Sequence, residues 1–184
     1  RYSTDTEPLF GRLSGADDKN RADARAFIDQ FKPTGGTAIA DALRAGLNGK
    51  RDGDGRPMFV IFLTDGRPTV GTTDEQQIVN EVKGPLAGPK AVTRASLPRV
   101  FCFGIGADVN THLLDRIAEE TQSFSQYVLP EEDIEVKVSS FFAKISAPVL
   151  TDLALGFPNE VRAKLLYPSP LPDLFQGDQL IVVG

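Results

Sequence analysis

The side chains that most often carry catalysis or bind metals are scarce in this sequence. There is one histidine, His112, and one cysteine, Cys102. A zinc site built from several such residues and an internal disulfide are therefore both excluded. A Ser-His-Asp or Cys-His mechanism would have to use His112. Any metal site must use oxygen ligands, which favours Mg²⁺, Ca²⁺ or Mn²⁺.

Two segments place oxygen atoms where a ligand could reach them. Asp65 follows a continuously apolar run at residues 58–63, and Gly66 lets the chain turn away. Ligands bind at the carboxyl ends of parallel strands, but an ordinary turn explains this aspartate equally well. Thr37 follows two glycines, which permit a close backbone approach, and precedes a helical pattern. It is either a ligand or the N-cap of that helix.

Other motifs are better explained by structure than by chemistry. The Gly-x-Gly at 104–106 lacks the third glycine of a dinucleotide-binding loop, so we interpret it as a turn. The Asp-Gly-Asp-Gly at 52–55 lacks the closing glutamate of a calcium loop. The acidic run at 131–133 is predicted to complement a helix dipole. We interpret His112 as a surface residue and Cys102 as core packing.

Alternating helical and apolar segments predict the elements that position these residues. Apolar side chains recur at helical spacing near 24–31, 39–47, 78–82, 114–118 and 134–145. Apolar runs at 58–63, 100–105 and 126–129 predict strands, the first of them buried on both faces. Strands and helices in alternation indicate an α/β fold with a doubly wound, mostly parallel sheet.

Helix starts are predicted from capping residues. Thr72 and Glu75 form a capping box, and Asn110 is a good N-cap for the following helix. Pro130 stands where the first residue of the last helix is expected.

The pattern changes at residue 148. Apolar and polar residues alternate at 153–157 and 161–165, which predicts half-buried antiparallel strands, and another strand is predicted at 179–183. We therefore place one domain at 1–147 and a C-terminal extension of β-strands at 148–184.

Composition narrows the class of protein further. The chain has 184 residues, a net charge of −5 and a pI near 4.9, without a cluster of Lys or Arg. A nucleic-acid partner is excluded, because such proteins carry a basic surface. The longest apolar run is too short to cross a membrane. The chain starts without Met or an apolar leader segment, and we expect it to be a piece of something longer.

Three of these segments follow one another in a distinctive order. A Thr-Gly-Gly-Thr loop at 34–37 precedes a helix, one strand ends in Thr-Asp-Gly at 64–66, and another ends in Gly-Ile-Gly at 104–106. Together they resemble the von Willebrand factor type A (VWA) domain over roughly residues 1–147. The resemblance implies the Rossmann-like VWA fold.

The C-terminal stretch narrows the resemblance. Tyr-Pro-Ser-Pro-Leu-Pro-Asp-Leu-Phe at 167–175 is similar to a segment that follows the VWA domain in inter-alpha-trypsin inhibitor heavy-chain-like proteins. This implies a cell-adhesion type of protein, extracellular or at the cell surface.

The resemblance also implies a metal site, the family's metal-ion-dependent adhesion site (MIDAS). Thr37 would ligate Mg²⁺ (or Mn²⁺ or Ca²⁺) through its hydroxyl, and Asp65 would do so directly or through water. An acidic side chain of a protein partner would complete the shell. The site draws on three loops, and the first of them, Asp-x-Ser-x-Ser, does not occur in this sequence. We therefore expect metal binding by this chain to be weak or absent.

The missing loop implies a missing strand. Residues 1–4 are interpreted as the family's second strand, so the first strand is expected upstream. It would lie beside the strand at 58–63, and its absence would leave a sheet edge open. We expect the missing segment or another chain to fill that edge, the strand at 179–183 being an alternative.

Three functions remain open at this point. The favoured one is a cation-dependent, non-catalytic protein-interaction module of a larger protein. The second is a structural VWA domain with a vestigial metal site. The third is a metal-dependent α/β hydrolase that uses Asp65, although the sequence offers no nucleophile or general base near it. The residues upstream of Arg1 would discriminate between the first two.

Overall fold

The computed structural model of the protein describes residues 1–32, 35–48, 58–86, 98–146, 148–151, 153–158 and 160–184. The chain divides into two compact units. Unit 1 comprises Arg1–Arg56 and Arg67–Ala87, and unit 2 comprises Pro57–Gly66 and Gly88–Gly184.

The described part of unit 1 is built on three helices. α1 spans Asp18–Asp29, α2 spans Ile39–Leu47 and α3 spans Glu75–Leu86. α2 packs against α3. Both contribute buried apolar stripes, formed by Ile39, Leu43 and Leu47 in α2 and by Ile78, Val79 and Val82 in α3. The helices predicted after Thr37 and around Ile78 are thereby confirmed.

α1 confirms a predicted helix but buries none of its twelve residues. Of the apolar residues that predicted it, Phe31 lies beyond its last residue. The rings of Phe27 and Phe31 meet edge to face with centroids 5.2 Å apart. The Arg1 guanidinium lies 5.5 Å from the Phe31 centroid. Local contacts of this kind cover part of the apolar stripe.

α3 does not begin with the predicted capping box at Thr72 and Glu75. The Asp74 carboxylate accepts a hydrogen bond of 2.8 Å from the Gln77 backbone N–H. The Thr72 hydroxyl instead donates to Glu81 at 3.3 Å. Aspartate is at least as good an N-cap as threonine and stands directly before the helix, so it takes the capping position.

Unit 2 contains a parallel sheet. Its strands are β1 (Phe59–Thr64), β2 (Arg99–Ile105) and β3 (Ser125–Val128), in the order β1-β2-β3. α4 (Thr111–Glu120) joins β2 to β3 and packs on β2, and α5 (Ile134–Ile145) follows β3. The predicted βα units and parallel pairing are confirmed.

Five phenylalanine rings form the centre of this core. Phe101, in the middle of β2, is fully buried. The rings of Phe59, Phe124, Phe141 and Phe175 all meet it edge to face, with centroids within 5.8 Å. Aromatic pairs in this geometry contribute about 0.5–1.5 kcal/mol each beyond the area they bury.

The two helices of unit 2 begin at polar caps. Asn110 caps α4 as predicted, since its side chain accepts a hydrogen bond from the first turn. α5 begins at Ile134, later than the predicted start at Pro130. The Asp133 carboxylate accepts two backbone N–H bonds there, which Pro130 cannot do.

β1 is less buried than its apolar run predicted. Phe62 and Thr64 are buried, whereas Ile61 is 42% exposed and Leu63 is 46% exposed. In the described part of the chain, β1 is an edge strand with β2 as its neighbour. Within the described residues, no strand therefore pairs with the other edge of β1, where the sequence predicted an open edge. The segment that covers this edge stays a prediction.

Residues 1–4 were interpreted as a strand, and the structure shows none there. Tyr2 forms an isolated antiparallel bridge with Thr6, and the Glu7 N–H donates to the Arg1 carbonyl at 2.8 Å. A strand needs a neighbouring strand to pair with, and within the described residues no strand pairs with residues 1–4. The segment turns back on itself instead.

The C-terminal residues form less sheet than predicted. β4 (Pro148–Leu150) pairs antiparallel with β5 (Leu174–Phe175). Tyr167 and Val183 form an isolated bridge through two backbone hydrogen bonds of 2.8 and 3.0 Å. The strand predicted at 179–183 is thus reduced to a single bridge.

The strands predicted at 153–157 and 161–165 are not formed, although all of these residues are described. Leu155 and Val161 are about half exposed, at 46% and 50%. Alternation of apolar and polar residues marks two faces but supplies no partner strand, and an isolated strand is not stable.

The residues after the predicted boundary at 147 nevertheless pack into unit 2. The Asp173 carboxylate and the Arg99 guanidinium form an ion pair of 2.9 Å, and both side chains are 2% exposed. Phe175 joins the phenylalanine core. The Gln122 side chain donates to the Leu171 carbonyl at 3.1 Å. The boundary near 147 itself stays a prediction.

Candidate cation-binding site

The loop that carries Thr37 is fixed on one side by the N-terminal residues. The Ala38 N–H donates to the Ser3 carbonyl at 2.8 Å. The Gly36 N–H donates to the Thr4 hydroxyl at 3.0 Å. These bonds hold the backbone on both sides of Thr37.

The same loop is fixed on its other side by Thr69. The Thr37 N–H donates to the Thr69 hydroxyl at 2.8 Å, and the Thr69 N–H donates back to the Thr37 carbonyl at 3.0 Å. The Val70 N–H approaches the same carbonyl at 3.4 Å. The backbone N–H and carbonyl of Thr37 are therefore both hydrogen-bonded, and the position of the residue does not depend on its side chain.

The two glycines before Thr37 allow these close approaches. Gly35 has φ +78°, which L-residues rarely adopt. A Cβ at Gly36 would overlap the Val70 side chain and lie 2.9 Å from the Thr69 hydroxyl. The close approach predicted from the glycine pair is confirmed, and the approaching groups belong to the protein itself.

The Thr37 hydroxyl is not a helix cap. α2 begins at Ile39 with Ala38 as its N-cap and without a side-chain capping bond. Within the described residues, the Thr37 hydroxyl forms no hydrogen bond, and the side chain is half-buried. The alternative explanation of Thr37 as an N-cap is therefore wrong, and its hydroxyl is available to a ligand.

A charged network lies on α2 and α3 behind this loop. Arg44 donates to Asp41 at 2.5 Å and to Glu81 at 2.7 Å. These hydrogen bonds, first to Asp41 and then to Glu81, raise the pKa of Arg44. The network ties the two helices together, and it occupies the carboxylate of Asp41.

Asp65 lies at the carboxyl end of β1, as predicted. The preceding Thr64 is buried, and its hydroxyl donates to the Gly66 carbonyl at 3.4 Å, which stabilises the turn. The Asp65 side chain is exposed, and no ion pair or hydrogen bond of its carboxylate occurs within the described residues. This carboxylate is available to a cation.

The Gly-x-Gly after β2 is a turn, as interpreted. Gly106 has φ +92°, and its N–H donates to the Val128 carbonyl at 2.9 Å. A Cβ at Gly104 would lie 2.8 Å from both the Tyr127 ring and the Val109 side chain. The turn and the close packing account for both glycines, so a bound phosphate is not needed to explain them.

The remaining candidates have the structural roles expected of them. His112 is exposed in the first turn of α4, and Cys102 is fully buried in β2. Burial raises the pKa of the Cys102 thiol, which keeps it protonated and unreactive.

The acidic run at 131–133 serves the start of α5. Glu132 forms an ion pair of 2.7 Å with Lys137, and the bond to Lys137 lowers the pKa of the Glu132 carboxyl. Asp133 is the N-cap. The motif at 52–55 lies outside the described residues.

The two predicted ligands lie in different units, Thr37 in unit 1 and Asp65 in unit 2. Their sharing one pocket therefore stays a prediction. In the described ranges, no three His, Cys, Asp or Glu side chains converge on a point. The hydroxyl and the carboxylate are both available, and both are oxygen donors of the kind that Mg²⁺ prefers. The donor chemistry fits a divalent cation.

Thr4 and Thr69 were not identified from the sequence, although they hold the loop. The sequence signal for such supporting residues was the glycine pair at 35–36, because glycines that permit close approach indicate that another group packs against them. The sequence does not indicate which group that is, since both threonines are brought to the loop by tertiary structure.

Comparison with known proteins identifies the family to which the chain belongs. Residues 1–144 match the sequence profile of the von Willebrand factor type A domain. Human inter-alpha-trypsin inhibitor heavy chain H4 is 27% identical over 190 aligned positions, and human heavy chain H3 is 25% identical over 190. Both alignments cover 100% of this chain and 20% of the relative. The chain thus spans about a fifth of the length of these relatives.

A solved structure has the same fold. The von Willebrand factor type A protein from Catenulispora acidiphila superimposes with a TM-score of 0.55 at 23% identity. The superposition covers 71% of this chain and 28% of that one.

Proposed function

Because the chain belongs to the von Willebrand factor type A domain family, we propose that it is a divalent-cation-dependent protein-interaction module without catalytic activity. Its homology to inter-alpha-trypsin inhibitor heavy chains extends over the whole chain.

The free hydroxyl of Thr37 carries the proposal. Its backbone is anchored by Ser3, Thr4 and Thr69, while its side chain caps no helix and forms no bond within the described residues. A half-buried hydroxyl in a loop this firmly held is positioned at little entropic cost, which favours ligation. The exposed Asp65 would supply the anionic oxygen.

The partner is proposed to offer an acidic side chain. The protein carries a net charge of −5, so an acidic partner would be repelled without a bridging cation. A cation held by Thr37 and Asp65 would keep coordination positions open, because Mg²⁺ takes about six oxygen ligands and two residues supply only part of them. A carboxylate of the partner would replace one of the bound waters.

Titration with Mn²⁺ tests the site, because a paramagnetic ion broadens the NMR signals of nearby amides even when it binds weakly. We expect broadening first at Gly36, Ala38 and Gly66, with an affinity in the millimolar range. Asp65→Asn and Thr37→Val should each abolish the broadening at both loops, because one ion is shared. Thr37→Ser keeps the hydroxyl and should retain it, and Glu119→Gln is a control at another site.

The result can contradict the proposal in two ways. Broadening of the two loops that responds separately to the two substitutions would mean that they share no ion. An absence of broadening at both loops would favour the structural domain with a vestigial site. Sub-micromolar affinity would show that other residues complete the site.

A further inference from the structure

A groove of about 360 Å³ lies in unit 2, at the amino end of β3. One wall is the second half of α4, and the opposite wall is the proline-rich segment at 167–172. Phe124 and Ser125 also line it. The volume is at the lower end of the range for ligand sites, about 300–1,000 Å³, and suits a single side chain better than a large cofactor.

The α4 wall is acidic. Asp115 and Glu119 stand one helical turn apart and therefore on the same face of the helix. Within the described part of the chain, neither carboxylate forms an ion pair. The Tyr127 hydroxyl donates to Asp115 at 2.6 Å and holds that carboxylate in position. The groove therefore presents two negative charges. The Lys144 ammonium, which lies 4.0 Å from the centroid of the Phe124 ring, is paired with Asp178 and not with these carboxylates.

The opposite wall is apolar and aromatic. Pro168, Pro170 and Pro172 line the groove together with Tyr167. The Tyr167 side chain is 61% exposed, while its backbone is fixed by the two hydrogen bonds to Val183. An exposed tyrosine ring beside unpaired carboxylates is an arrangement that attracts a cation to the face of the ring.

The proline wall is anchored to the core, so the groove is formed before any ligand arrives. Asp173 follows the last of these prolines and is held by the buried ion pair with Arg99. The Leu171 carbonyl accepts the hydrogen bond from Gln122. A rigid wall reduces the entropy lost on binding.

We propose that this groove binds the arginine side chain of a basic segment in a partner protein. A guanidinium group is planar, stacks on aromatic rings and pairs with carboxylates. It matches a groove with carboxylates on one wall and a tyrosine with prolines on the other. The two carboxylates disfavour a phosphate group in the groove. The groove is distinct from the Asp65 loop, because it lies at the amino end of β3, whereas Asp65 lies at the carboxyl end of β1 in the same parallel sheet.

The test is an NMR titration of the ¹⁵N-labelled protein with acetyl-Gly-Arg-Gly-amide, in EDTA so that no divalent cation takes part. The control peptide contains citrulline, which has the shape of arginine without its charge. We expect saturable shifts of the Glu119, Ser125 and Tyr167 amides with the arginine peptide only. Glu119→Gln should weaken binding about two- to fivefold, whereas Glu131→Gln, outside the groove, should not.

A second pair of variants tests the aromatic wall. Tyr167→Ala should weaken binding and Tyr167→Phe should retain it, because the ring face is kept and the bridge to Val183 uses only the backbone. An equal response to the citrulline peptide, or Glu119→Gln binding as tightly as the unchanged protein, would overturn the proposal. Neither outcome depends on the metal site.

Discussion

The ion pair between Arg99 and Asp173 is the most deeply buried charge interaction described in the protein. Its two atoms are 2.9 Å apart, and both side chains are 2% exposed. Removing two charges from water costs several kcal/mol, and their attraction offsets this cost only while both partners are present. Removing one partner is therefore expected to lower the stability by more than the intact pair adds to it.

We predict that Asp173→Asn lowers the free energy of unfolding by about 3–5 kcal/mol, because it removes the carboxylate charge that faces the buried Arg99 guanidinium. Asp23→Asn is the matched control, since its ion pair with Lys19 is exposed and worth about 0.5 kcal/mol at most. Urea unfolding monitored by circular dichroism measures both. Equal effects of the two substitutions would contradict the prediction.

At the residue scale, the sequence indicated the candidate ligands but not their supports. Thr37 and Asp65 stand in motifs whose residues are contiguous, so they could be found by reading along the chain. Thr4 and Thr69 reach the Thr37 loop only through tertiary structure. The exclusion of Thr37 as an N-cap also needed the structure, because Ala38 gives no sequence signal as a cap.

At the scale of elements, β5 connects the C-terminal segment to the core. Phe175 is 2% exposed, and its ring contacts those of Phe101 and Phe124 at 5.6 Å. The segment after residue 147 is therefore part of what stabilises unit 2, whichever boundary is drawn for the domain.

We predict that Phe175→Ala destabilises the protein by about 3–5 kcal/mol, the usual cost of removing a buried phenylalanine. Phe157→Ala changes the same residue type in the same segment, but that side chain is 44% exposed and should cost far less. Thermal unfolding of the two variants measures the difference. A small effect of Phe175→Ala would mean that the segment is dispensable for the core.

The elements that were predicted well are those whose apolar runs determine both their type and their bounds, although the burial predicted for β1 was wrong. β1, β2 and β3 lie within one residue of their apolar runs. The strands expected at 153–157 and 161–165 failed, because alternation cannot supply a partner. The starts of α3 and α5 moved because aspartates stood closer to the helices than the residues chosen as caps.

At the scale of the whole molecule, Cys102 reports on global unfolding, since it is the protein's one thiol and is fully buried. We predict that Ellman's reagent labels it only after urea unfolds the chain, with glutathione as the reactive control. Rapid labelling without urea would contradict the burial.

The same thiol gives a pH dependence with a defined sign. Burial raises its pKa in the folded state, so the unfolded chain releases the proton first as the pH rises. Its contribution to stability is complete below the unfolded pKa of about 8.5 and declines above it. A smaller fall in stability from pH 8 to pH 10 in a Cys102→Ala variant than in the unchanged protein would identify this source, because burial also raises the pKa of Tyr127 and that residue contributes to the fall in both.

The net charge of the chain bears on the partners that its surface attracts. Among the helices that the structure describes, none is long and apolar enough to cross a bilayer. The negative net charge leaves bridging cations or basic segments as the two kinds of contact that it favours. The two proposed sites correspond to these two kinds.

The ring cluster around Phe101 affects the stage of synthesis at which unit 2 can fold. Phe101 lies in β2, and the rings around it come from β1, the residue before β3, α5 and β5, so the cluster draws on nearly the full span of unit 2. Contacts between residues so far apart along the chain give a high contact order, which slows folding. A ribosome synthesising this protein delivers Phe175 well after Phe59 and Phe101, and we expect the core of unit 2 to remain incompletely packed until that residue emerges.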